Sequence, residues 1–349
     1  GGTLDNYWRK YTGYNHTITA TAKKKIGKDL ELRLMGGTMW QDYETKMFAI
    51  YGTNIIDSVG INGKMYKAGS ILTDNDLQGV VGDYMDSSIT RTNTRQRLLQ
   101  NNFGRYNQSI IRQFAVFGEF AVSFKNYAFL SYTHRFEEAS TLPVQNRKYD
   151  YPGGSLSLIM SDIFPALKKN GVLGYWKLRT SLAGTARLNP PYSTQSVFVN
   201  NFASGGGFSY GFFNNNTDLE PERQKTYELG TEFRLFNSRL NLDITYYNTL
   251  NKGQIINAFR LSYGTGFVLN TQNAASTRNQ GIEVALSYDM LKKKALQWNM
   301  RMNFNKMWNK VEDMPRNVAE YYIADTWLYG NARGGLVFGG PTTTITAYG

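Results

Sequence analysis

There is no cysteine anywhere in the 349 residues. That excludes disulfides, thiolate metal sites and a cysteine nucleophile. Histidine occurs twice, as His16 and His134. The two lie far apart in the chain, and a lone histidine in a strand reads more readily as a lumen or interface side chain than as a base. Nucleophile-elbow and phosphate-loop patterns are missing too; "GINGK" at 60–64 is too short for the latter. Long hydrophobic runs are also missing. The longest is five residues, Met47 to Tyr51, against about 20 for a membrane-spanning helix. A mean hydropathy of -0.44 does not exclude a membrane protein, because transmembrane barrels carry their signal in alternation. Proline is scarce at 8, whereas Gly 34, Tyr 24 and Phe 20 are plentiful, a stock suited to strands and interfaces.

The net charge is +12. Solvated loops account for such a balance; an anionic ligand, an anionic lipid headgroup layer or nucleic acid are the sharper readings. Basic residues are dispersed, with lysine runs only at 23–25 and 292–294. With no helical recognition element, nucleic acid is disfavoured as a partner.

What the chain does have is period-two patterning, in about ten segments. In one, Leu30, Leu32 and Leu34 oppose Glu31, Arg33 and Met35. In another, Phe114, Val116, Phe120, Val122 and Phe124 oppose Ala115, Glu119, Ala121 and Ser123, with Phe117 spoiling the polar side. Later, Ile282, Val284 and Leu286 oppose Glu283, Ala285 and Ser287, and Trp298, Met300, Met302 and Phe304 oppose Asn299, Arg301 and Asn303. The polar faces hold too many charges for a dry sandwich core. Connections alternate short and long, with long ones near 43–112, 136–152, 187–224, 250–277 and 312–349. That rhythm predicts an outer-membrane barrel with turns at one rim and extracellular loops at the other. Aromatics near strand ends (Tyr14, Trp40, Tyr43, Tyr175, Trp176, Tyr246, Tyr247, Trp298 and Trp308) suggest interface girdles.

The stretch "TDLEPERQKTYELGTEFRLF", 217–236, passes from a charged loop into strict alternation. Pairing like faces with the next segment predicts Phe233 opposite Leu242, Thr231 opposite Ile244 and Leu229 opposite Tyr246, with a turn at 236–239. Glu232 then faces Asp243, which a wet lumen with a nearby arginine tolerates and a dry core does not.

The same stretch resembles a motif of TonB-dependent outer-membrane transporters, roughly Asn-Pro-x-Leu-Lys-Pro-Glu followed by Tyr-Glu-x-Gly. "NNTDLEPERQKTYELG" carries Asn-Asn in place of Asn-Pro, and Glu220 in place of the lysine. "VFGEFAVSFKNYAFLSYTHRFEEAS", "YWKLRTSLAGTARLNPPY", "LNLDITYYNTLNKGQI" and "STRNQGIEVALSYDML" resemble the SusC/RagA branch, in that order along the chain. The resemblance implies an all-β, antiparallel up-and-down transmembrane barrel of about 22 strands, plugged by an N-terminal domain. It implies TonB as the energy source, a SusD-like surface lipoprotein as partner, and an oligosaccharide or peptide as substrate. Residues 1–349 are expected to be a partial barrel domain of about ten strands, sitting in outer-membrane lipid, with plug, targeting sequence and C-terminal strands outside it. An enzyme is not expected. The alternative is a secreted or surface β-rich carbohydrate-binding or adhesion protein.

On the barrel reading Arg33, Glu119, Arg179, Glu228, Glu232, Arg234, Asp243, Glu283 and Arg301 point inward. Of these, Arg179, Glu228, Glu232, Arg234 and Asp243, with the loop aromatics Tyr192, Tyr210 and Trp327, are the candidate ligand contacts; plain solvation and loop packing are the competing readings. "DNDLQGVVGDYMD" begins like a calcium loop, with Asp74, Asp76 and Gln78 at the first, third and fifth positions, but Met85 takes the place of the bidentate glutamate. A polar turn is the expected reading; a weak surface Ca²⁺ site is the alternative, and no other cofactor is expected.

Overall fold

Alternating apolar and polar residues are accommodated by extended backbone, whose side chains point to opposite faces in turn. In the computed structural model this pattern gives ten long strands. They are β1 (Gly2–Ile26), β2 (Leu30–Ile55), β3 (Asn107–Phe124), β4 (Ala128–Ala139) and β5 (Lys148–Ile159). They continue with β6 (Leu173–Arg187), β7 (Glu222–Leu235), β8 (Leu240–Arg260), β9 (Leu269–Lys292) and β10 (Gln297–Asp313). The structure describes residues 2–55, 58–61, 64–67, 95–98, 107–196, 199–200, 208–209, 213–260, 269–292, 296–315, 318, 320–322 and 332–347.

Each long strand is hydrogen-bonded to the next in chain order, and the registered pairs from β3 to β10 are all antiparallel. Two short segments, Arg95–Leu98 and Phe213–Asn214, complete a 12-stranded sheet. This is the up-and-down meander that the alternation predicts.

The chain divides into two units. One comprises residues 1–14, 42–111 and 198–210, the other 15–41, 112–197 and 211–349. In the first, the rings of Tyr11 and Tyr43 stack 5.8 Å apart. Tyr43 also covers Gly13, where an added Cβ would come within 2.9 Å of the ring.

The register of β7 on β8 matches the sequence expectation pair by pair. Phe233 faces Leu242, Thr231 faces Ile244, Leu229 faces Tyr246, and Glu232 faces Asp243. Residues 236–239 form the turn, closed by the Arg239 amide donating to the Phe236 carbonyl at 3.2 Å. Phe236, Asn237 and Ser238 all have positive φ, at 53°, 54° and 62°. At the β3–β4 turn Lys125 and Asn126 do the same, at 48° and 57°, the positive φ that both central residues of a type I′ turn adopt, and the Tyr127 amide donates to the Phe124 carbonyl at 3.1 Å. Asn126→Gly relieves the second of these at no steric cost. It is expected to stabilise the hairpin by about 0.5 kcal/mol, read as increased resistance to denaturant.

The face carrying Phe120, Leu130, Leu229, Met302 and Phe304 is exposed along its length. In water such a band would be a severe aggregation liability; in lipid it is the required outer surface. One polar exception within it is satisfied internally. Outward-facing Thr231 accepts from the Trp176 indole nitrogen at 3.1 Å and donates to the Lys177 carbonyl at 3.3 Å, as hydrocarbon demands. The stretch from Tyr227 to Leu235 covers about 26 Å of strand. A tilt of about 40° reduces that to about 20 Å, close to the height of a lipid-facing apolar band.

Two sequence expectations need correcting. The long loops at 136–152 and 250–277 are largely strand: β4 and β5 run to Ala139 and from Lys148, and β8 and β9 continue to Arg260 and from Leu269. Ladder hydrogen bonds hold the backbone extended there without an apolar face, so alternation marks only part of each strand. Likewise 312–349 contains a three-stranded sheet of Glu320–Tyr322, Ala332–Val337 and Thr344–Ala347. The second correction is to the girdles. Trp176, Tyr246, Trp298 and Trp308 share the apolar face, but Tyr175 and Tyr247 are paired with Arg234 and Glu228 on the polar one.

Candidate functional site: the polar inner face

The polar residues of adjacent strands align in rows across the sheet. One row is Lys177, Glu232, Asp243 and Ala285; the next is Arg179, Gly230, Thr245 and Glu283; the third is Ser181, Glu228, Tyr247 and Gly281. Glu232 and Asp243 are directly opposed, and like charges so placed repel. Each is compensated by its own arginine. Arg234 donates to Glu232 Oε1 through Nε at 3.0 Å and through Nη2 at 2.9 Å. Arg179 donates to Asp243 through Nη1 at 2.9 Å and Nη2 at 2.7 Å, and to Thr245 Oγ1 at 2.6 Å. The two-pronged geometry orients the guanidinium as well as neutralising the carboxylate.

Arg179 is on β6 and Asp243 on β8, so the side chain must cross β7 completely. It does so over Gly230. A Cβ built there would lie 2.5 Å from Arg179 Nε and 2.8 Å from Cζ. The device recurs at Gly281, where a Cβ would meet the Tyr247 ring and hydroxyl at 2.5 Å, and at Gly37, where it would meet the Phe117 ring at 2.7 Å. Glycine in these strands marks where a large neighbour lies flat across the inner surface.

Phe117 therefore has a function that sequence alternation alone does not reveal. Its ring covers Gly37 and carries the Arg135 guanidinium 5.3 Å from its centroid. Arg135 in turn donates to Glu137 at 2.5 Å, and the Tyr149 hydroxyl donates to the other oxygen of Glu137 at 2.8 Å. Arg33 and Glu119, read separately from the sequence as inward-facing, form an ion pair. Arg234 also lies 4.7 Å from the Tyr175 ring centroid.

Of the candidate ligand contacts, Arg179, Glu228, Glu232, Arg234 and Asp243 thus fall on one contiguous polar surface. Tyr192 does not join them. It sits exposed in a separate turn with a φ of 64°. Tyr210, Trp327, Asp74, Asp76 and Gln78 lie outside the described residues. Among the described residues no group of three or more acidic or histidine side chains converges as a metal site requires. His134 sits on the outer face, stacked on Phe136 at 4.4 Å and bonded to the Tyr132 hydroxyl at 2.8 Å and Asp150 at 2.9 Å.

The charged first half of the 217–236 stretch is a latch on the rim. Leu219 is completely buried. Gln145 donates to the Thr217 carbonyl at 2.7 Å, and Asn146 to those of Asp218 and Leu219 at 3.1 Å. On the other side the Glu220 amide donates to Asn273 Oδ1 at 3.0 Å. Asn273 donates back to the Glu220 carbonyl at 2.9 Å and to the Gly253 carbonyl at 2.8 Å. The Glu222 carboxylate accepts from the Ile255 amide at 2.8 Å. One short segment therefore ties residues 140–147 to the upper ends of β8 and β9.

An antiparallel meander with an apolar outside and an ion-paired, polar inside is a section of transmembrane β-barrel wall. Residues 1–344 match the family described as TonB dependent receptor-like, beta-barrel, and the chain belongs to that family, whose members are barrels of the Gram-negative outer membrane. It is 26% identical over 211 residues to TonB-dependent receptor P3 of Formosa agariphila, covering 58% of this chain and 20% of the relative. It is 25% identical over 207 residues to TonB-dependent receptor SusC of Bacteroides thetaiotaomicron, covering 56% of this chain and 20% of the relative. The chain thus matches about a fifth of the length of these curated relatives. Among solved structures, the RagAB peptide transporter superposes over 96% of this chain and 34% of its own, with a TM-score of 0.73 at 17% identity. At that identity the likeness is one of fold.

Proposed function

We propose that this chain forms part of the wall of an importer that draws oligosaccharides or peptides across the outer membrane, energised through TonB and served by a SusD-like surface lipoprotein. The observation that carries the reading is the inner face. Arg33–Glu119, Arg135–Glu137, Arg179–Asp243 and Arg234–Glu232 are ion pairs there, and Arg179, Tyr247 and Phe117 lie flat over glycines, which leaves a hydrated wall along which a polar solute can move. Membership of the receptor family and the fold shared with the RagAB peptide transporter support it. The barrel wall supplies no bond-making chemistry in this reading; it confines the solute while the energised step takes place elsewhere in the protein.

The test is uptake by cells carrying or lacking the full-length gene, with defined oligosaccharides and peptides as sole carbon source. Loss of growth on one class, restored by the gene and abolished in a TonB-deficient strain, is the expected result. Undiminished uptake in the deletion strain contradicts it. Recovery of the full-length protein as a monodisperse species without detergent contradicts the barrel itself.

A further inference from the structure

On the outer face, above the apolar band, the surface changes character within two rows. Tyr227, Asn248, Gln280 and Trp308 form one row. The next, one pleat further toward the latch, is Lys225, Leu250, Arg278 and Lys310. One pleat beyond, Arg223 faces Lys252. All ten lie on the same side as Leu229 and Phe304, by the two-residue period of their strands. Lys225, Lys252, Lys310 and Arg223 are exposed.

On the inner face Arg33, Arg135, Arg179 and Arg234 each have a carboxylate, while Lys177 and Arg301 have none among the described residues. Outside, Arg278 is neutralised by Glu312 at 2.8 Å. Arg223 reaches only the Asp150 backbone carbonyl at 3.5 Å, the Asp150 carboxylate being engaged by His134. Among the described residues Lys225, Lys252 and Lys310 have no carboxylate partner. Lys306, one row below Trp308, is likewise unpaired, and its long stem allows its ammonium to reach up past the aromatic row.

Unpaired cations on a surface continuous with a lipid-facing band, and separated from it by a tyrosine–tryptophan row, lie at headgroup level. We propose that Lys225, Lys252, Lys310 and Arg223 form a binding surface for a phosphate-bearing lipid headgroup of the surrounding leaflet. The acyl chains would lie on Leu229, Phe233 and Phe304, and the phosphate would meet the lysine row. Across three strands at about 4.8 Å each, Lys225 and Lys310 are about 14 Å apart, a width that suits a large or doubly phosphorylated headgroup. The surface also accounts for part of the positive charge that no inner-face function absorbs.

The experiment is native mass spectrometry of the full-length protein released from micelles doped with phosphatidic acid or with phosphatidylcholine. Wild type is expected to retain phosphatidic acid selectively. Lys225→Ser/Lys252→Ser/Lys310→Ser is expected to retain it about tenfold less or weaker still, since each basic group near an anionic surface contributes severalfold. The corresponding triple arginine variant should keep it. A triple serine variant of Lys23, Lys24 and Lys25, in β1 next to the opposite rim, should behave as wild type. If the serine triple does not assemble, Lys225→Ser alone is expected to show a smaller loss of the same sign. Equal retention by wild type and the serine variants overturns the proposal. So does full displacement by inorganic phosphate, which would make this a free-anion site, and so does retention lost equally in the 23–25 control. A protein that needs detergent yet retains no lipid defeats this inference alone and leaves the barrel standing.

Discussion

Leu219→Ala will free the rim while leaving the barrel wall intact. Leu219 is completely buried in a segment held from both sides, by Gln145 and Asn146 on one flank and Asn273 on the other. Removing three carbons from such a position costs about 2–4 kcal/mol, part of it from the cavity left behind. The cost falls on a local opening, because the ladders of β7, β8 and β9 below the latch do not involve Leu219. Amide exchange in the full-length protein should therefore accelerate by about two orders of magnitude at residues 217–220, at Glu222 and at Ile255, in line with local unfolding free energies. The amides between Leu229 and Leu235 should be unchanged. Asn146→Ala and Asn273→Ala remove hydrogen bonds without a core cavity and are expected to act the same way with about 1 kcal/mol each. Unaltered exchange at 217–220 and at Glu222 in Leu219→Ala would refute the latch. A uniform acceleration through β7 would refute its independence from the wall.

Gly230→Val will destabilise the protein, although valine is among the best strand formers and glycine among the worst. The sign is decided by Arg179, whose side chain occupies the space into which a Cβ would project, with Nε 2.5 Å away. Overpacking of this kind costs about 1–3 kcal/mol. Displacing Arg179 adds a second effect, because Asp243 then faces Glu232 without its partner. That pair is about one-third exposed, with side-chain accessibilities of 35% and 38%, so water and salt soften the repulsion. A double-mutant cycle separates the two. In an Arg179→Ala background the penalty of Gly230→Val should shrink or reverse, with a coupling of about 0.5–3 kcal/mol. Gly36→Val is the control, since nothing lies within 4 Å of its added Cβ; there the strand preference should prevail. Resistance of the folded, compact form to heat and denaturant reads all four variants. Equal penalties at Gly230 with and without Arg179 would show that the arginine does not use the glycine.

Much of this was legible in the residues alone, and the reason is locality. Side-chain direction in a strand has a period of two, so alternation in 227–235 and 240–246 settled which side chains share a face. The short connection between them then left one register, and Glu232 met Asp243 as the pattern required. Whatever depended on a third strand was not legible. Arg179 reaches Asp243 by passing over β7, and Phe117, which breaks the polar alternation of β3, is explained only by Gly37 and Arg135 from its two neighbours. Tyr175 and Tyr247 lie near strand ends, as interface aromatics do, but parity turns them inward to Arg234 and Gly281. The strand above the band at 250–260 leaves no alternation in the residues, because its backbone is held by ladder hydrogen bonds and not by an apolar face. The order of residues is enough to set the two faces and the hairpin register, since both follow from nearest-neighbour geometry. The stagger of non-adjacent strands decided which charges neutralise one another, which glycines lie beneath larger side chains and where the rim is tied, because those contacts join residues that only the folded sheet brings together.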